Sequence, residues 1–215
     1  MLFTDVKSIA IPEGDVMYFQ DSNRTVLWEK NTEPEYTQLQ YITADGNQYI
    51  DTGYQAGNNP ITIIVNASIS ALSNTDSYVC WSTNFSMRIS YRNGRYSAMC
   101  KYREAMYGST GSQVAIPRNQ TQFVLQNGGF FIGNTRVASP GWGSFGTNDS
   151  IKIFDEGMSG NIYYVYIYDG NGEPVRYLEP RVRNSDNAVG LYDLENDVFY
   201  TSAGTYDFIA GPPVS

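Results

Sequence analysis

The chain has 215 residues, a formal net charge of −8 and no histidine. The length suits a single β-sandwich with a sizeable core. The acidity leaves no electrostatic footprint for nucleic acid and disfavours anionic membrane surfaces, and the missing histidine excludes Ser-His-Asp, Cys-His and His-bound zinc chemistry. Charged residues make up only 17% of the chain, so the polar surface must come largely from Asn, Ser, Thr, Gln and Tyr. That mix is poor in helix formers and suits strands.

In chain order, residues 1–7 have no basic start and no long apolar run, so no secretory signal is expected. No stretch reaches the ~18 apolar residues of a membrane helix. Alternating runs at 6–11, 16–19 and 25–29, separated by turn residues at 12–15 and 21–24, predict a three-stranded meander over residues 1–31. Such a unit is too small to be stable alone and should dock on something larger. The polar run at 32–38, with Pro34, reads as a linker.

The main domain is predicted over 39–213 and is all-β. Strand candidates fall at 40–42, 49–52, 61–69, 77–82, 86–92, 95–101, 121–126, 129–132, 151–154, 162–168, 189–193 and 198–201. Asn93-Gly94 is a strong two-residue hairpin signal, and Asn127-Gly128 and Asp169-Gly170-Asn171-Gly172 mark further turns. Strands at this spacing predict a sandwich or barrel. Cys80 and Cys100 lie on strand-like runs with another run between them, which favours buried thiols over a disulfide.

Three segments carry a recognisable pattern: LQYITADGNQYIDTGY at 39–54, GNIYYVYIYD at 160–169, and RNSD at 183–186 followed by GLYD at 190–193, FYTSAG at 199–204 and Gly211-Pro212. In this order they resemble the concanavalin A-like (laminin G-like) jelly-roll domains of bacteriophage, prophage and gut-bacterial surface proteins. The resemblance spans 39–213, with its specific parts at the two ends. The start, IAIPEGDV at 9–16 and VLWEK at 26–30, is similar to the start of phage structural proteins. Together these imply a jelly-roll sandwich displayed on a virion surface, made in the host cytoplasm, behind a small segment that attaches to other virion proteins.

Without histidine, the remaining catalytic option for this fold is a carboxylate pair. The nearest group, Asp193, Glu195 and Asp197, reads better as the hairpin turn between two short strands, so no enzyme activity and no catalytic residue is expected. Side chains alternate along the tyrosine-rich strand. Tyr163, Val165 and Ile167 form the more apolar set and are assigned to the core; Tyr164, Tyr166 and Tyr168 form the other set, whose face the resemblance implies is wetter, because resembling sequences often hold polar residues at the positions of Tyr164 and Tyr166. Aromatic rings there could stack on sugars or on another subunit. The loop 138–150, ASPGWGSFGTNDS, sets Trp142 and Phe145 among glycines that permit close approach of a ligand; folding back over the sandwich edge is the alternative. The candidate binding residues are therefore Trp142, Phe145, Tyr164 and Tyr166.

No cofactor is expected. Calcium is left open, since Asp45, Asp51, Asp149, Asp155 and Asp186 are possible oxygen ligands without a tight motif. The leading expectation is a phage virion surface protein whose lectin-like domain binds host-surface or mucosal glycan, assembled as a homo-oligomer, with a trimer suggested by analogy to virion fibres. The rivals are a purely structural virion subunit and a sandwich-fold glycosidase.

Overall fold

In the computed structural model of the protein, residues 18–20, 26–29, 35–57, 60–72, 76–82, 85–92, 95–102, 105–108, 115, 117–126, 129–138, 149–155 and 157–215 are described. The chain divides into two compact units, Met1–Glu35 and Tyr36–Ser215. In the first, β1 (Tyr18–Gln20) pairs antiparallel with β2 (Val26–Glu29), with Phe19 opposite Trp28 and a register shift at Gln20. These are the second and third strands of the expected meander, the former displaced toward the turn; the expected strand at 6–11 lies outside the described residues.

The second unit is all-β, and every described pairing is antiparallel. One sheet has the order β10 (Ala105–Gly108), β9 (Arg95–Tyr102), β8 (Phe85–Arg92), β7 (Asp76–Trp81), β14 (Lys152–Asp155), β5 (Ile50–Asp51). The larger sheet runs β13 (Thr135–Ala138), β12 (Gly129–Ile132), β11 (Thr121–Gln126), β6 (Thr62–Leu72), β15 (Met158–Tyr168), β16 (Pro174–Arg183), β17 (Ala188–Asp193), β18 (Val198–Tyr200). Three short strands branch from it: β3 (Tyr36–Gln38) pairs β16, β4 (Ile42–Asp45) pairs β15, and β19 (Ile209–Ala210) pairs β4. No helix among the described residues is long and apolar enough to cross a membrane.

Period-two alternation builds the core of this β-sandwich. Ile63, Val65, Ala67 and Ile69 of β6, Phe123 and Leu125 of β11, and Val165 and Ile167 of β15 are all buried. They form one cluster with Ile50, Val79, Cys80 and Ile153 of the smaller sheet. Each Val, Leu, Ile or Phe among them contributes about 1.5–3 kcal/mol when fully buried.

Arg92 pairs with Arg95 and Gln126 with Gly129, while the expected turn residues 93–94 and 127–128 lie outside the described residues. Asp169 closes the β15–β16 turn, its Oδ1 accepting from the backbone N–H groups of Asn171 and Glu173. The cysteines fall on β7 and β9, and Met87 of β8 is the register partner of both. Cys80 is buried, and its backbone lies two strand spacings of about 4.8 Å from that of Cys100, together beyond the ~7 Å Cα limit for a disulfide.

The segments that carry the recognisable pattern converge in space. Ile42–Asp45 pairs with Ser159–Ile162 on one side and Ile209–Ala210 on the other. Gly211 N–H donates to Tyr41 O, and Ala203 N–H donates to Tyr49 O. Gln48, 2% exposed, accepts from the Asp45 N–H and donates to Asp207 O. Gly160, at φ 153°, has the Ser68 carbonyl so close that a Cβ would lie 1.9 Å from its oxygen. Only glycine fits there without moving backbone.

Three sequence expectations are corrected. Residues 36–38, assigned to the linker, form β3. Residues 174–183 form a ten-residue strand that sequence reading passed over, because Pro174 and Pro180 count against a central strand. Pro180 is tolerated because β16 changes partners around it, from β15 up to Leu178 to β3 from Arg181 onward. No ladder donor is needed at that point. Finally, Tyr163 is not a core residue. A β-bulge between Ile162 and Tyr164 inserts it out of register, so Ile162 is fully buried and Tyr163 is only partly so. One extra residue flips the face of everything before it.

Candidate functional site

The sheet divides at the place where Pro180 and the Tyr163 bulge lie side by side. On that flank β15 turns from β16 to β4, and β16 turns from β15 to β3. Leu39 and Gln40 link β3 to β4 and hold the seam, with Leu39 N–H donating to Pro180 O and Gln40 N–H to Pro212 O. A groove of about 340 Å³ opens there, lined by Gln38, Gln40, Gln120, Glu179, Tyr163 and Tyr164, with Leu39, Pro180 and Val214 completing its wall. The volume sits at the small end of ligand pockets, which run from roughly 300 Å³.

Tyr164 joins the groove to a row of tyrosines on the outer face of the large sheet. Its ring stacks on Tyr166 at 4.5 Å and 18°. Tyr177, the register neighbour of Tyr166 on β16, meets it edge-on at 4.5 Å, and Tyr168 meets Tyr177 at 5.8 Å. The Tyr168 and Tyr177 hydroxyls are hydrogen-bonded at 3.0 Å. Gln122 Nε2 donates to the Tyr164 hydroxyl at 2.7 Å. Between those two residues in the register lies Asn66, 7% exposed, whose Oδ1 has no hydrogen-bond partner among the described residues. Tyr163 packs edge-on against Tyr41 at 5.5 Å.

Tyr166 and Tyr168 stay protonated at neutral pH. Burial, then the nearby Glu179 carboxylate and the adjacent tyrosines, push Tyr166 above its ordinary value. The hydrogen bond to Tyr177, with burial behind it, pushes Tyr168 up to about 12. The face therefore offers neutral hydroxyls that donate and accept, primary amides that do both, and one carboxylate that only accepts. Glu179 Oε2 accepts from Gln38 Nε2 at 3.2 Å and lies 3.9 Å from Arg181 Nη2. Such groups can recognise a hydroxyl-rich ligand beside an aromatic ring.

Of the four expected binding residues, the structure brings Tyr164 and Tyr166 together on this face; Trp142 and Phe145 lie outside the described residues. Sequence reasoning missed Gln38, Gln40, Gln120 and Glu179. The period-two run YTQLQYI at 36–42 was the available signal for the first two. The turn assignment for Leu194–Asp197 matches the structure, between β17 and β18 with Asp197 at φ 56°. Asp193 is fully buried and serves that turn, accepting from the backbone N–H groups of Tyr177 and Glu195.

The aspartates considered for calcium occupy separate settings. Asp45 accepts from Asn47 Nδ2, Asp51 from Gly53 N–H, Asp155 pairs with Lys152 at 3.9 Å, and Asp186 binds Arg183 through both carboxylate oxygens. Among the described residues no group of three or more His, Cys, Asp or Glu side chains is placed to hold a metal ion. No protein-family model, curated protein or solved structure matches the chain.

Proposed function

We propose that residues 36–215 form a lectin-like domain of the jelly-roll type that binds glycan, in a bacteriophage virion surface protein attached to other virion proteins through residues 1–31. The observation that carries the binding reading is the groove beside Tyr164, where amides, a carboxylate and phenols converge next to a stacked pair of rings. An aromatic face takes the C–H face of a sugar, and amides and carboxylates take its hydroxyls. The virion setting rests on the resemblance of residues 9–30, 39–54 and 160–213 to phage proteins. A small open groove implies weak single-site binding, with adsorption strengthened by many copies on one particle.

The test is a glycan array probed with the purified protein at high valency, alongside Tyr164→Ala. The expected result is binding by the parent protein and loss of at least tenfold in the variant, both folded by circular dichroism. A correctly folded, multivalent protein that binds no glycan would count decisively against the proposal and favour a purely structural subunit, whose tyrosines pack against neighbouring protein.

A further inference from the structure

We infer that the groove selects uncharged saccharides over acidic ones, an inference that rests on the glycan-binding reading and sharpens it. Among the described residues the lining contains one formal charge, and it is negative. Glu179 comes from β16, and the other polar groups of the lining are the amides of Gln38, Gln40 and Gln120 and the hydroxyls of Tyr163 and Tyr164. Among the described residues no lysine or arginine lines it.

The cation paired with Glu179 among the described residues is Arg181, and it does not line the groove. Arg181 follows two residues after Glu179, and its Nη2 lies 3.9 Å from Glu179 Oε2. Its guanidinium sits over the Tyr192 ring at 4.7 Å, on the side of β16 that faces β17. It therefore softens the Glu179 charge; its buried Nε has no hydrogen-bond partner among the described residues, but Arg181 is not among the described residues that line the groove. Arg183, farther along the strand, is held by both oxygens of Asp186.

Glu179 is only partly exposed, its side chain at 24%, so water screens it incompletely. A sugar carboxylate or sulfate brought within about 5 Å of it would lose on the order of tenfold in affinity against the same sugar without the charge. Neutral hydroxyls and acetamido groups meet no such penalty. They can donate to Glu179 and exchange hydrogen bonds with the three glutamines. One face of the Tyr164 ring is covered by Tyr166, and Tyr164 lines the groove, so a sugar ring would meet it on its other face or edge. Hexoses and N-acetylhexosamines fit this chemistry; sialylated, uronic and sulfated glycans do not.

The experiment compares matched glycans, neutral and with a sialic acid, uronic acid or sulfate added, on the full chain and on Glu179→Gln. The isosteric amide keeps an acceptor for Gln38 and removes the charge; equal thermal midpoints confirm that the variant folds. The parent should favour the neutral member of each pair by about tenfold at low salt. The ratio should shrink at ~0.5 M salt, where the Debye length falls to about 4–5 Å, and in Glu179→Gln. Equal or stronger binding of acidic glycans by the parent, or a ratio unmoved by the substitution, overturns the inference while leaving glycan binding intact. Absence of binding to every glycan overturns the binding reading and this inference with it.

Discussion

Two carboxylates one strand apart show how a single step along a β-strand decides what an acidic group does. Leu178 and Asp193 are register partners across β16 and β17, and Glu179 is the next residue on β16, opposite Tyr192. Asp193 points to the core side and its side chain has no exposure; Glu179 points to the outer face at 24%. Asp193 is saturated. Oδ1 accepts from the N–H groups of Tyr177 and Glu195, Oδ2 accepts from Asn196 Nδ2, and Arg176 Nε lies 3.4 Å from Oδ2. Arg176 in turn donates to Thr52 O and stacks over Tyr54, tying the residue-52 segment to the edge of the large sheet. Glu179 accepts one hydrogen bond from Gln38 and faces an open groove. The first carboxylate is a lock; the second is an acceptor left available to solvent and ligand.

Substitution should separate the two roles by stability before any ligand is added. Asp193→Ala leaves two strand and turn N–H groups without their acceptor and Arg176 as an uncompensated charge. Breaking a buried pair this way costs about 3–5 kcal/mol, or roughly a 10 °C fall in melting temperature for a domain of this size. Glu179→Ala removes a partly exposed ion pair and one hydrogen bond, and should cost about 1 kcal/mol or less. Thermal melts followed by circular dichroism measure both. Equal losses in the two variants would dissolve the distinction between lock and acceptor.

The sequence made one side of this comparison readable and hid the other. Asp193 sits in the local pattern GLYDLENDVFY, where Asn and Asp between two β-branched or aromatic runs identify a hairpin turn. Local contacts suffice for that. The groove around Glu179 is assembled from residues 38, 40, 120, 163, 164 and 179, which strand pairing alone brings together. The pairing that does so, β3 with β16, involved two segments not read as strands. Tyr36–Gln38 was hidden by the neighbouring Pro34, and Pro174–Arg183 by its two prolines. The tyrosine row was legible because Tyr164, Tyr166 and Tyr168 follow the alternation, whereas Tyr163 was misplaced because a one-residue bulge leaves no distinctive mark in sequence. The convergence of residues 39–54, 158–169 and 202–213 explains why the recognisable pattern lies at the two ends of the domain. Gln48, Gly160 and Gly204 each fill a position there that few side chains could occupy. A Cβ on Gly204 would lie 1.9 Å from Asn47 O.

A smaller effect extends the comparison from carboxylates to the phenols of the outer face. Tyr168 is raised to about 12, chiefly by its hydrogen bond to the Tyr177 hydroxyl and then by burial. A folded-state value above the unfolded one means the native state holds its proton more tightly. That contribution is fully present below about pH 10, and it is lost as pH rises from about 10 towards 12, where the unfolded chain has already released the proton. Tyr168 borders solvent, so the contribution is screened to about 1 kcal/mol or less. Tyr168→Phe removes the titrating group. Its urea midpoint should therefore fall less steeply than that of the parent between pH 9.5 and pH 11 (range chosen around ~10), while the two proteins differ little at pH 7. Phenolate absorbance gives the independent reading: the parent should show one more late-titrating tyrosine than the variant. Parallel midpoint curves with identical phenolate titrations would mean that the Tyr168–Tyr177 hydrogen bond does not hold the proton in solution, and that the tyrosine row is wetter than its packing around Tyr166 implies.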